Sequence, residues 1–420
     1  MVNPLAKRVN IDIGLTRPIS PKSIPPKIIV FGIVPMDYPV ISEIAPQVMI
    51  QRSPTGYNEP YVEQVRLSSA SQQALLPSIS GRHPSKLRDT FRTILATGCK
   101  EVDFVLARSP TLKAWDVSEM EAAEMFIPFL NSTPDSICLF PDAGGPWPRS
   151  IKQYVPQEVL DVRLTRQINM TRIYGQYLLD NFQFGMMDLV MPPVSQLQNY
   201  LRALQGGDFA ACLWSGEHKS LLKHGWRSPC AAIGGLLASN DHLLVTSSIG
   251  NNIPIGNGRK VVESRAVLLG APKEVPVNPD IDDNCVVLRL DPESDIAQVH
   301  SEMTFRRPMF QWPIPALRTM KKIHMALTRA AELFVFRPVQ QPEAIALQTS
   351  IESVLDPFYK AGVLVGPDGT SKPRVSGTAI PSRTKPMLSV DLSAQVKPWC
   401  QSISLKVMVK SGSQPQIIEV

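Results

Sequence analysis

Thiols and imidazoles at regular intervals are the first residues of this chain that could do chemistry. Cys212, His218, His224 and Cys230 recur every six residues, and sulfur with imidazole nitrogen is a common ligand set for zinc. Structural zinc sites, however, gather their ligands in close pairs. Cys212 and Cys230 also sit inside the apolar stretches FAACLW and SPCAAIGGLLA, which read as buried strand and helix. The spacing is better explained without a metal. Gly250, Gly256 and Gly258 in SIGNNIPIGNG make no phosphate-binding loop, because neither GKS/GKT nor GxGxxG is present. Asp282 and Asp283 are adjacent, so in an extended segment they point to opposite sides and cannot act as a carboxylate pair. No GxSxG elbow surrounds a serine. His324 lies on an apolar helical stripe, where a core histidine is the plainer reading. No catalytic, cofactor-binding or metal-ligating residue is assigned, and no cofactor is expected.

At 420 residues the chain is long enough for two or three domains with cores of their own. A hydrophobic content of 44% and a mean hydropathy near zero place it among globular proteins. No apolar run approaches the ~18 residues needed to span a bilayer, and MVNPLAKRVN lacks the apolar stretch of a secretory signal. The 39 prolines, about 9% against an average near 5%, predict many loops and strand edges. Cys99, Cys138, Cys212, Cys230, Cys285 and Cys400 are scattered without CxxC, which predicts free thiols in a reducing compartment.

Hydrophobic periodicity then divides the chain. Residues 27–66 hold short apolar runs (IIVFGIV, PVISEI, QVMI) and read as a small β-rich unit. A helix is predicted over 85–97, with Leu87, Phe91, Ile94 and Leu95 at helical spacing, Ser85 as cap and Gly98 as stop. Strands are predicted at 102–106, 137–140, 187–191 and 209–214, with helices at 117–130 (Ser118 and Glu121 as a capping box), 165–182 and 194–204. Such alternation argues for a mainly parallel sheet with helices on its faces. A small-residue helix follows at 228–238, then irregular chain to about 315 with one strand at 285–290. Residues 315–333 form a basic amphipathic helix. Leu317, Met320, Ile323, His324, Leu327 and Ala331 make its stripe, and Arg318, Lys321, Lys322 and Arg329 lie off it. A last helix runs over 342–360 to Gly362.

Both ends carry period-two strands. In MLSVDLSAQVKPWCQSISLKVMVK, Leu388, Val390, Leu392, Ala394 and Val396 share one face, and after the break at Lys397-Pro398-Trp399 so do Ile403, Leu405, Val407 and Val409. Two strands are marginal in water, so a third is expected. Near the start, Val9, Ile11, Ile13 and Leu15 alternate likewise, and four prolines in residues 17–26 make a semi-rigid spacer. The spacer reaches about 30 Å at most. The strand could fold back on its own C-terminal pair or complete a neighbour's sheet. Residues 1–30 and 371–420 together hold twelve Lys/Arg against three Asp/Glu, a net +9, leaving −3 elsewhere in a chain of net +6. Basic ends on an acidic body suit head-to-tail association of identical subunits. With 7% aromatics and no basic run interleaved with them, nucleic acid is the weaker partner.

The order of features in the second half resembles the contractile tail sheath family of phages and related injection machines. His224-Gly225-Trp226-Arg227-Ser228-Pro229 through Asn240-Asp241 is similar to that family's P-x-S-x-x-x-A-G-x-x-A-x-x-D helix, and Ile249–Ile255 stands where it has an AN loop. The 315–333 helix, Phe334-Val335-Phe336-Arg337-Pro338, and Ala361-Gly362-Val363-Leu364-Val365-Gly366 resemble its R-R…VFEPN…L-x-x-G-x-L-x-G block. Arg337-Pro338-Val339 replaces E-P-N, and Thr304-Phe305-Arg306-Arg307 stands for G-x-R-T, the pattern of a distant member. The resemblance implies a non-catalytic structural subunit in six-fold rings around an inner tail tube. It also implies strand exchange between subunits, contraction that drives the tube into a target cell, and contacts with baseplate and tail terminator proteins. Neither direct nucleic-acid binding nor membrane insertion is expected. The setting would be a virion tail assembled in a host cytoplasm, serving genome ejection, or a cytoplasmic injection apparatus. Competing readings are an α/β enzyme of unknown reaction and a non-contractile self-assembling or nucleic-acid-coating protein.

The expected fold is thus α/β and α+β. It comprises a strand-and-linker arm (1–26), a small β-rich N-terminal domain (27–84), a central mainly parallel α/β domain (85–272) and an α+β C-terminal domain (273–420) completed by terminal strands from neighbouring subunits. The intersubunit strand residues are Val9, Ile11, Ile13, Leu15, Leu388, Val390, Leu392, Val396, Ile403, Leu405, Val407 and Val409. Arg318, Lys321, Lys322 and Arg329 are the candidates to face the tube.

Overall fold

A computed structural model describes residues 27–34, 38–52, 61–76, 87–108, 126–130, 136–141, single positions within 165–178, 183–188, 209–214, 228–239, 286–290, 297–304, 314–381, 386–396, 401–410 and 413–419. The chain divides into two compact units, one ending at Lys322 and one beginning at Ile323.

The first unit contains β1 (Ile28–Val34), β2 (Met49–Arg52), β3 (Tyr61–Leu67), β4 (Val102–Arg108), β5 (Ile137–Phe140), β6 (Phe184–Asp188), β7 (Phe209–Trp214), β8 (Val286–Leu290) and β9 (Ala297–Glu302). They form one sheet in the order β2-β3-β4-β1-β5-β6-β7-β8-β9. From β4 to β8 neighbours run parallel, and β2, β3 and β9 add antiparallel margins. Runs such as IIVFGIV and ICLF are apolar without alternation because parallel strands are covered on both faces. On one face Phe31 stacks on Phe140 at 4.9 Å, and Phe140 stacks on Tyr174 of the 165–178 helix at 5.2 Å; Phe126, of helical residues 126–130, meets Phe31 edge-on at 5.3 Å. A short α1 (Ile41–Ile44) precedes two longer helices, α2 (Leu87–Ala96) and α3 (Pro229–Ser239), which lie on the other face. A Cβ on Gly32 would lie 2.6 Å from Leu87, and one on Gly234 2.9 Å from Leu139. Glycine at these points lets helix and sheet close on each other.

The expected mainly parallel sheet is therefore present, but its limits differ from the sequence reading. Residues 27–84 do not stand apart: β1 lies in the middle of the sheet, between β4 and β5. At the other end, β8 and β9 add strands from beyond residue 272, and the unit boundary falls after Lys322. β6 begins three residues before the predicted strand, and β9 was not predicted. Of the helix predicted at 117–130, residues 117–125 lie outside the described residues, as do the helix predicted at 194–204 and residues 1–26.

α4 (Ile314–Glu332) carries the unit boundary within it. The second unit continues with α5 (Gln341–Lys360), β10 (Leu364–Val365), β11 (Arg374–Ile380), β12 (Met387–Val396), β13 (Gln401–Lys410) and β14 (Gln416–Glu419). α5 buries Ala344, Leu347, Ile351, Leu355 and Phe358, the spacing of one helical face. It ends in a Schellman turn: Gly362, at φ +71°, donates to the Tyr359 carbonyl and Val363 to that of Phe358. The turn that follows is held by Asp368, whose carboxylate accepts from Ser371 and Thr370, which keeps its pKa well below the usual carboxylate range.

Candidate assembly interface

The sequence singles out residues 387–410, and the structure pairs them as one antiparallel ladder of ten rungs from Met387 opposite Lys410 to Val396 opposite Gln401. This register sets Leu388 against Val409, Val390 against Val407, Leu392 against Leu405 and Ala394 against Ile403. Apolar residues thus meet across the ladder on one face, where cross-strand packing stabilises a sheet. Leu388, Val390, Leu392, Ala394, Val396, Leu405, Val407 and Val409 are all buried. On the opposite face Asp391 and Lys406 are directly opposed, with 3.5 Å between their charged atoms.

The third strand comes from the chain itself. β11 pairs with β12 from Arg374 opposite Ser393 to Ile380 opposite Met387, and β10 continues that edge opposite Val396 and Gln395. On the far side β14 pairs with Leu405–Met408 of β13. The pair thus has partners on both sides from its own chain, where the sequence reading looked for a third strand from the N-terminal arm, its own or a neighbour's. RVSGTAI hid β11: the strand alternates exposed with half-buried residues and carries a glycine at its centre, so it has no apolar face to read. The arm strand at Val9, Ile11, Ile13 and Leu15 lies outside the described residues.

No family model and no curated protein sequence matches the chain. Solved structures do. The helical sheath of the anti-feeding prophage in its contracted state superposes with a TM-score of 0.50 over 89% of this chain and 89% of that one, at 15% identity. The fold is that of a contractile sheath subunit. The sheath complex of the extracellular contractile injection system PVC, also contracted, is 15% identical over 92% of this chain and 88% of its own, with a TM-score of 0.48. A sheath tail protein from Listeria innocua is 10% identical over 92% and 96%, with a TM-score of 0.45.

Within this sheath fold the basic residues of α4 are placed differently from the sequence expectation. Every described residue from Ala316 to Ile323 is buried, including Arg318, Lys321 and Lys322; Arg329 is exposed. Lys321 donates to the Leu178 carbonyl at 3.1 Å, so a main-chain oxygen takes the place of water. An open basic stripe is corrected to a single exposed cation, Arg329. His324 is half-buried on the same helix.

Of the evenly spaced thiols and imidazoles, Cys212 lies on β7 and Cys230 at the start of α3, while His218 and His224 lie outside the described residues. Cys230 belongs to a helix cap. Ser228 is the N-cap ahead of Pro229, its hydroxyl accepts from Ala231 N–H, and Asp188 at the end of β6 accepts from both Ser228 Oγ and Cys230 N–H at 3.0 and 2.9 Å. Among the described residues no three His, Cys, Asp or Glu side chains are grouped to hold a metal. Gly250, Gly256, Gly258, Asp282 and Asp283 are outside them.

Sequence reasoning passed over Gln341 and Gln348 of α5. Their side-chain amides bond the backbone of β11 at Gly377 and Ala379. Two glutamines seven residues apart repeat after two helical turns, the one signal that could have marked them.

Proposed function

We propose that this chain is a structural subunit of a contractile sheath. Copies of it polymerise as stacked six-fold rings around an inner tail tube, and contraction of the stack drives the tube into a target cell. The observation that carries this reading is the likeness to a helical sheath across 89% of both chains. The sequence supports it independently through a strand on a Pro-rich tether and through basic ends on an acidic body. Strand pairing at the C-terminal sheet would hold copies together while the tether lets each body turn. Baseplate, terminator and tube proteins are the further partners, in a virion tail or an injection apparatus. The role requires no catalysis. Arg329 remains the exposed candidate on α4 for contact with the tube.

Negative-stain microscopy of the purified chain tests the proposal, with rings or long tubes as the expected result. A chain lacking residues 1–20 is expected to stay folded and monomeric. A full-length protein that stays monodisperse at every concentration, or a truncated one that still makes normal tubes, overturns it.

A further inference from the structure

Among the described residues β11 is an edge strand, and an edge strand offers a row of backbone donors and acceptors to any passing strand. Here α5 occupies that row. Gly377 N–H donates to Gln348 Oε1 at 2.9 Å, Ala379 N–H donates to Gln341 Oε1 at 3.2 Å, and Gln341 Nε2 donates to the Gly377 carbonyl at 3.3 Å. A primary amide carries the same donor and acceptor as a peptide group, so the two side chains stand where a sixth strand would pair. Gln348 is oriented for this: its Nε2 donates to Glu352 Oε1 at 2.8 Å, which leaves Oε1 toward Gly377. The helix is held close, since a Cβ on Gly377 would lie 2.5 Å from the Ala344 carbonyl oxygen.

The opposite edge is different. β14 pairs with only Leu405–Met408 of the ten-residue β13. Among the described residues, no strand flanks 401–404 on that side.

We propose that Gln341 and Gln348 close the β11 edge to strand addition, which confines pairing between copies of this chain to the β13–β14 edge. The partner, a strand from a second copy, rests on the sheath reading; the closure itself does not. An incoming strand at β11 must displace both amides and lift α5 from Gly377, whereas along 401–404 of β13 no strand among the described residues stands in its way.

Hydrogen exchange on the full-length chain reads the closure directly. Gln348→Met keeps the side chain's bulk but removes its acceptor, and the exchange Gln348→Glu/Glu352→Gln keeps the acceptor and, with the donor now on residue 352, the bond that orients it. The first is expected to speed exchange at Gly377 about tenfold, the worth of one net hydrogen bond, and the second to leave it near wild type. Equal exchange in all three proteins overturns the closure, whatever the protein assembles into. Sedimentation of Gln341→Met/Gln348→Met then reads its consequence: concentration-dependent association beyond that of the wild type, both in the full-length chain and when residues 411–420 are removed from each, supports the confinement. Unchanged association alongside faster exchange overturns it.

Discussion

The nine-stranded sheet and the C-terminal sheet deal with their backbones in opposite ways. The first places parallel strands at its centre, covers both faces with helices and relegates antiparallel pairs to its margins. The second is antiparallel throughout, buries one alternating face of β12 and β13, and must manage its edges with side chains. Under the proposed sheath role, one chain would separate rigidity from connectivity. A sheet enclosed on both faces suits a body that keeps its shape, and a sheet with backbone to spare suits the element that links copies. Two cross-strand ion pairs, one taken from each sheet, differ most sharply in burial: Glu63–Arg108 in the first, which also pairs Arg66 with Asp103, and Asp391–Lys406 in the second.

The largest effect is expected where the enclosed sheet has buried a charge. Glu63 on β3 and Arg108 on β4 are 0% and 2% exposed and lie 3.1 Å apart. Glu63 also accepts from the N–H groups of Ile41 and Ser42, which start α1 (Ile41–Ile44), and Arg108 donates to the carbonyls of Tyr38 and Pro39. Glu63→Ala strands the guanidinium and two backbone donors in the interior. Removing one partner of a buried pair costs about 3–5 kcal/mol, to be read by urea denaturation. A loss under about 1 kcal/mol would mean that the pair behaves as a surface one.

Glycine substitutions rank next and compare the two sheets by their helices. A Cβ on Gly235 would lie 2.3 Å from Thr97 Oγ1 and 3.2 Å from the Ile94 Cα, so α2 and α3 must part. On the C-terminal sheet, Gly377→Ala presses on the backbone of α5. Overpacking of this kind costs about 1–3 kcal/mol. Gly377→Ala should additionally speed amide exchange at Ala379, because a displaced α5 withdraws Gln341; thermal melts and exchange together separate the two cases.

Alkaline pH sharpens the contrast from the enclosed side. Burial, opposed by nearby Arg88 and Arg108, pushes the Tyr38 phenol up to about 12 from an ordinary 10.0. Its hydroxyl donates to the Leu75 carbonyl at 2.7 Å. Between those two values the unfolded chain ionises and the folded one does not. The stability it contributes is therefore complete below pH 10 and is lost as the pH rises through 12. Tyr38→Phe should flatten that part of the pH–stability curve; an unchanged slope would assign the alkaline loss to other groups.

Legibility followed the same division. β5 and β7 have the bounds read from the sequence, because short apolar runs between turns have few alternatives. β12 and β13 were legible from period two. β9, AQVHSE, and β11, RVSGTAI, were not, since a margin strand with polar residues carries neither signal. The basic residues of α4 failed for another reason. Helical spacing shows which residues leave the apolar stripe but not what they meet, and Lys321 meets a carbonyl 143 positions away. Gln341 and Gln348 were hidden likewise, because their partners at Gly377 and Ala379 lie on a strand that had gone unread.

The smallest effect is expected at the second ion pair. Lys406 and Asp391 face each other on adjacent strands at 3.5 Å, but their side chains are 38% and 55% exposed. Water screens both, and ordering a long lysine costs rotamer entropy, so exposed pairs contribute about 0–1 kcal/mol. A double-mutant cycle with Asp391→Ala and Lys406→Ala should give a coupling inside that range that fades at high salt, where the Debye length falls to about 3 Å. The Glu63–Arg108 coupling should resist the same salt because its partners are dry. If instead the Asp391–Lys406 coupling were larger and salt-resistant, the polar face of the C-terminal sheet would have to be shielded from water, and a covering copy would be the source of the shield.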